Sequence, residues 1–152
     1  MTGQGFGDVF LGHGFVQGLS ERHRSVLAAA AKPFKAAMGE MLAREGEAAK
    51  CFYLVQAGHV VLGLPTPDRG VLPIQTVGPG EVVGWSWLVP PHRWQFDARV
   101  IDTVQAVALN ALCLRGKCDE DHELGYQFLQ RLVAVISGRL AGTRLQLLDM
   151  YR

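Results

Sequence analysis

The sequence predicts a mainly β fold with flanking helices: an antiparallel β-roll of jelly-roll type that runs into one long C-terminal helix. Three observations carry this. Between Phe34 and Leu114, short apolar runs alternate with Gly, Pro and Asp at intervals of about ten residues, the rhythm of antiparallel strands joined by turns. From Cys118 onward the apolar period becomes helical and holds to the end of the chain. Ahead of the strands, a short apolar stretch opens on Ser20 and stops at Pro33, as a capped helix does.

Taken in order, the glycine-rich opening reads as a flexible lead-in over residues 1–18. The short helix spans Leu19 to Ala31. The strand runs are Cys51–Val55, His59–Leu64, Leu72–Val77, Ala98–Val100 and Ala106–Leu109. Ala57-Gly58, Asp68-Arg69-Gly70 and Gly78-Pro79-Gly80 supply turns that need a positive or preset φ. Residues 19–117 thus form the roll with its opening helix, and residues 118–152 a long helix of the same domain. Asp119, Glu120, Asp121 and Glu123 crowd the predicted start of that helix, where carboxylates complement the positive end of the dipole. With His122 as its only nitrogen donor, this cluster reads as capping rather than a metal site.

Along the last helix, Tyr126, Leu129, Val133, Ile136, Leu140, Thr143, Leu147 and Met150 recur at alternating steps of three and four. That is a coiled-coil seam. Phe128, Leu132, Val135 and Leu148 form a second apolar face, predicted to pack on the roll. A helix with two apolar faces needs two partners, and the most economical second partner is the same helix of another subunit. A homodimer is therefore expected.

Composition bounds the rest. Of 152 residues, 49% are hydrophobic and 19% charged, which is ordinary for a globular protein. Fifteen basic against fourteen acidic residues leave +1, so neither nucleic acid nor an anionic membrane is expected as a direct partner. No apolar run reaches the ~20 residues of a membrane span. Cys51, Cys113 and Cys118 make an odd set without a Cys-x-x-Cys pair or a secretory leader, pointing to the reducing cytoplasm. Cys113 and Cys118 are spaced as a redox pair could be, although Cys113 also continues an apolar run as a small hydrophobe.

The segment Gly46-Glu47, Phe52-Tyr53-Leu54-Val55, Gly58 and Val60, together with TVGPGEVVGWSWL, resembles the cyclic-nucleotide-binding domain in its Gly-Glu, strand, turn-glycine and cassette-entry positions. The run GRLAGTRLQLLD is similar to the dimer helix of bacterial regulators of the catabolite-activator and FNR type. The likeness covers about residues 19 to 150. It implies a non-catalytic sensor domain whose dimer helix reports on a ligand beneath it. The chain ends at Arg152, where a helix-turn-helix domain follows in the transcription factors. Output is therefore expected through a partner protein or a further domain. The N-terminal cysteine cluster of the FNR type is absent, so no iron–sulfur cluster is implied.

Carried over position by position, the likeness places a ligand cassette on Val83, Gly84, Trp85, Ser86, Trp87, Arg93, Trp94, Gln95 and Phe96, with Arg139 and Thr143 facing the ligand from the helix. Two of these positions depart from the pattern. Trp85 stands where nucleotide-binding members have the glutamate that accepts from the ribose hydroxyl. Trp94 or Gln95 stands where they have the arginine that pairs with the phosphate, with Arg93 just before it. A buried phosphate needs its charge met by a guanidinium or several backbone donors. Three readings stay open: the aromatics Trp85, Trp87, Trp94 and Phe96 fill the old pocket as core; they line a pocket for another small ligand; or a cyclic nucleotide binds through Arg93, Arg139 and Thr143.

A ligand-free dimerisation scaffold differs from the first reading only in having no signal. A small metal enzyme on a β-roll would need converging histidines. His13, His23, His59, His92 and His122 are instead scattered along the chain, and Ser86 sits in no nucleophile motif.

Overall fold

The computed structural model describes residues 12–151. Most of the predicted lead-in (residues 1–11) lies outside the described residues. The rest of it is packed rather than loose. His13 Nε2 donates to the Val55 carbonyl at 2.9 Å and its Nδ1 accepts from the Phe15 amide, while Phe15, Val16 and Leu19 are buried.

The opening helix α1 spans Glu21–Ala28 and is capped as predicted: the Ser20 hydroxyl accepts from the His23 amide. It ends three residues earlier than expected, because Ala31–Ala36 is strand β1 and Pro33 lies inside it, opposite Val107. A proline lacks the ladder donor and is tolerated on an edge strand. Here β1 closes one edge of the order β1-β6-β3-β4.

The remaining strands are β2 (Met41–Ala43), β3 (Cys51–Thr66), β4 (Gly70–Val77), β5 (Val82–Val83) and β6 (Asp97–Asn110). All six are antiparallel in one sheet, with β2 on β6 and β5 on β3. The fold class is therefore as the sequence predicts. Two pairs of predicted strands, however, are single long ones. Cys51–Val55 and His59–Leu64 join into β3, and Ala98–Val100 and Ala106–Leu109 into β6. The expected turn at Ala57-Gly58 is an irregularity within the β3–β6 ladder, whose register shifts between Val55 and Val60. Gly58 has φ +86°, and a Cβ there would lie 2.2 Å from the Thr103 carbonyl oxygen. The partner strand's backbone occupies the space of a side chain, so the ladder bends there and the strands run on.

The last helix begins differently from the sequence expectation. Helix α2 (Ala111–Glu120), capped by Asn110, precedes it, and the chain breaks at Asp121 before α3 (His122–Met150). Asp119 and Glu120 thus close α2 rather than opening α3. Asp121 alone is the α3 cap, accepting from the Leu124 amide, with Glu123 in the first turn. Arg22 reaches across from α1 to Asp121 at 2.5 Å and donates to His23 Nε2 at 3.0 Å, pinning α1 to the start of α3. Cys113 and Cys118 are both free on α2. Burial, with Asp119 and Asp121 nearby, pushes the Cys118 thiol up to about 11, which disfavours the thiolate a redox pair needs.

The core joins the roll to α3 through aromatic rings. Phe52 stacks on Trp87 at 5.5 Å, and Trp87 meets Phe128 edge-on at 5.7 Å. Phe15 lies 5.0 Å from Phe52 and 5.4 Å from Phe128. Leu124, Phe128 and Leu132 are the buried residues of α3, with Val135 half-buried. Leu148, expected on this face, is exposed because the roll no longer lies beside the helix at that height.

Two outcomes follow. Gly58→Ala should cost more than about 1 kcal/mol, read as a lower denaturant midpoint at unchanged m-value. Arg22 and the Leu124 amide hold the Asp121 carboxyl below its usual range. A depressed folded pKa stabilises the protein above the unfolded value near 4 (about 3.9), and the contribution is lost as pH falls through the folded value. Asp121→Asn should lower stability at pH 7 and flatten the stability loss in that acid window, so that the two proteins converge at low pH, measured by denaturation across pH.

Candidate functional site

The segment assigned to the cassette runs from β5 to β6. Val82 and Val83 enter it as a buried two-residue strand against Leu54 and Tyr53. Gly84 then takes φ +103°, open to glycine at little cost. A Cβ at Gly84 would lie 2.8 Å from the Trp94 ring, so the six-membered ring of the indole packs directly against the glycine. Trp85–Leu88 form a tight turn, Leu88 N–H donating to the Trp85 carbonyl at 3.2 Å.

The loop returns against the Gly46–Ala49 turn in a short ladder. Gly46 N–H donates to Trp94 O, Trp94 N–H to Glu47 O, and Ala49 N–H to His92 O, each at 2.8 Å. The Pro90–Pro91 peptide is cis. Through this ladder Trp94 is set over Gly84, 6.0 Å from Phe96.

The predicted site residues therefore separate into groups. Trp87, Trp94 and Phe96 are core, and Trp85 packs half-buried against it. Ser86 is 1% exposed, and neither its hydroxyl nor the Trp87 indole N–H has a partner among the described residues. The hydroxyl is not satisfied by backbone, as a loop serine would be. Arg93 is exposed, donating to the Gly46 carbonyl at 2.9 Å, and Gln95 donates to the Arg93 carbonyl at 3.1 Å. Thr143 is exposed too, its hydroxyl returned to the Arg139 carbonyl one turn back at 3.0 Å. Trp94 lines a cleft beside Met41, Glu47 and Tyr53, and Arg139 reaches a cavity beneath α3: its Nη2 donates to the Val82 carbonyl, and burial lowers its guanidinium from its ordinary value, with Glu81 acting against that shift.

The cavity measures ≈ 560 Å³ and lies between α3 and the β4–β5 turn. Arg131 and Gln75 line it with Arg139, and sequence reasoning named neither as a site residue. The four-residue steps Arg131, Val135, Arg139 were the available signal: two cations flank a residue already placed on the roll-facing stripe. Among the described residues no three His, Cys, Asp or Glu side chains gather as a metal-holding group. No helix there is long and apolar enough to cross a membrane.

Comparison with known proteins agrees with this fold. No curated protein matches the chain. Among solved structures, a cyclic nucleotide-binding domain from Methylobacillus flagellatus KT superposes with a TM-score of 0.81 at 18% identity, over 95% of this chain and 84% of that one. The N-terminal domain of a transcriptional regulator from Streptomyces coelicolor A3(2) gives 0.68 at 23% identity, over 86% and 92%. The catabolite activator protein of Thermus thermophilus gives 0.70 at 18%, over 91% of this chain and 63% of that one. At these identities the likeness is one of fold. The family model of the cyclic nucleotide-binding domain matches residues 33–121, more than half of the chain, and the protein belongs to that family.

Proposed function

We propose that this domain is a non-catalytic regulatory module that has given up the phosphate-binding cassette of its family and transmits its state through a homodimer formed by α3. Roll and helix act as one domain in this reading. The observation that carries it is the free half of α3. Beyond Leu132 no residue of the helix is fully buried, yet Val133, Ile136, Leu140 and Leu147 keep the three-four spacing on an exposed face. About 16 Å of helix, from Leu140 to Met150, stands clear of the roll. A helix of that length is marginal alone in water, and its seam matches a second copy of itself. Output would then pass to a partner protein or an attached domain, with no direct contact to nucleic acid.

The loss of the cassette is supported by two placements. Trp94 covers Gly84 with its ring, and Arg93 is turned to solvent and to the Gly46 carbonyl. No guanidinium of the loop is left facing a phosphate there.

Sedimentation should find a dimer at tens of micromolar, and replacing Ile136 and Leu140 by Lys should give a monomer, since neither charge would find a partner in the seam. A wild-type monomer would sink the proposal. Cyclic AMP should bind two to four powers of ten more weakly than at a dedicated site, because two charged contacts of about 1.5–3 kcal/mol each are missing. Calorimetry decides this. A saturable low-micromolar isotherm that Arg93→Ala abolishes would mean the cassette still works.

A further inference from the structure

The cavity beneath α3 shares none of the residues from Val83 to Phe96. Two cations dominate it. Arg131 and Arg139 stand two turns apart on one face of the helix with Val135 between them, and both are half-buried. Arg131 Nη1 donates to the carbonyls of Phe15 and Gln17, and Arg139 Nη2 to that of Val82. These are neutral acceptors. Nε of Arg131 and Nη1 of Arg139 are out of reach of water and have no acceptor among the described residues. Neither guanidinium is ion-paired there. The one carboxylate beside them, Glu81, is engaged by the Gly78 amide at 2.8 Å.

Two half-buried cations on one face, met by backbone oxygens and a single rim carboxylate and each keeping an unpartnered N–H, are positioned to take an anion. A guanidinium fork matches the two oxygens of a carboxylate or phosphate. The walls between the arginines are apolar, formed by Phe15, Val82, Ala134 and Val135, and the volume is that of a small organic ligand.

We infer that this cavity binds a small organic oxyanion, its carboxylate or phosphate head held by Arg131 and Arg139 and its body lying on Phe15, Val82 and Val135. Glu81 at the rim selects against polyanions. The inference rests on the regulatory reading above and supplies its ligand site. Arg131 ties the N-terminal segment to α3, Arg139 ties the β4–β5 turn to it, and Ile136 of the seam follows Val135 directly. An anion that draws on both arginines changes how α3 leaves the roll, and with it the angle at which two seams meet.

Calorimetry on the full chain with phenyl phosphate and benzoate tests it, with benzamidine as a cation of similar shape and inorganic phosphate as a bare head. At least one aromatic anion should bind saturably and benzamidine should not. Arg139→Gln should weaken binding about tenfold to a hundredfold, with Arg139→Lys losing less. Val135→Trp, which fills the cavity and keeps both cations, should abolish binding, while Arg144→Gln should change nothing. Thermal melts establish that each variant is folded.

Absence of saturable binding of either aromatic anion would overturn the inference, as would undiminished binding by folded Arg139→Gln and Val135→Trp. Inorganic phosphate binding as tightly as phenyl phosphate would overturn the organic class, because the apolar wall would then contribute nothing. Loss of binding in Arg93→Ala instead would put the ligand in the cassette loop and overturn the site. If no anion binds and the protein still sediments as a dimer, this inference falls and the regulatory dimer stands.

Discussion

Four aromatic rings, Phe15, Phe52, Trp87 and Phe128, hold the molecule together at one point. Each comes from a different part of the chain: the N-terminal segment, strand β3, the β5–β6 loop and helix α3. Trp87, Phe52 and Phe128 are among the largest fully buried side chains, and aromatic contacts of this kind contribute beyond the area they bury. Because the fully buried residues of α3 all lie in its first three turns, its direction away from the roll is set mainly here. The seam, the cavity and the exposed half of the helix all take their positions from this cluster.

The same cluster sets the course of the β5–β6 loop. With Trp87 driven into the core, the loop around it has to close inward, and Trp94 follows by packing on Gly84. Trp87, Trp94 and Phe96 make that loop part of the hydrophobic interior. Burial of this kind leaves polar atoms behind, and the unpartnered Ser86 hydroxyl and Trp87 indole N–H are that residue of the exchange. Arg93 lies outside, while Arg131 and Arg139 occupy the surface where helix and roll meet.

Much of the fold was legible because local physics and tertiary structure agree. Ser20 caps its helix, Asp68-Arg69-Gly70 turns a hairpin, and the spacing from Tyr126 to Met150 is helical throughout. Where the sequence misled, a local signal was outvoted by a distant partner. Gly58 signals a turn, but β6 runs alongside without interruption and the signal becomes a bulge. Pro33 signals a stop, but the β6 edge accepts a strand without its donor. Asp119, Glu120 and Asp121 look alike in the sequence, yet Arg22 and the Leu124 amide meet Asp121 alone.

The sequence by itself determined the fold class, the helical seam and the family, because each is written in periodicity or in residues close together in the chain. It also placed Trp85, Trp87 and Trp94 in one short segment, since residue identity is a local fact. Which side of a wall each tryptophan occupies was decided only in three dimensions. So was the meeting of Arg139 with a carbonyl 57 residues before it, and of Arg131 with carbonyls 114 and 116 residues before it. Those depend on which surfaces the aromatic cluster brings together, and a contact between distant segments leaves no period in the chain.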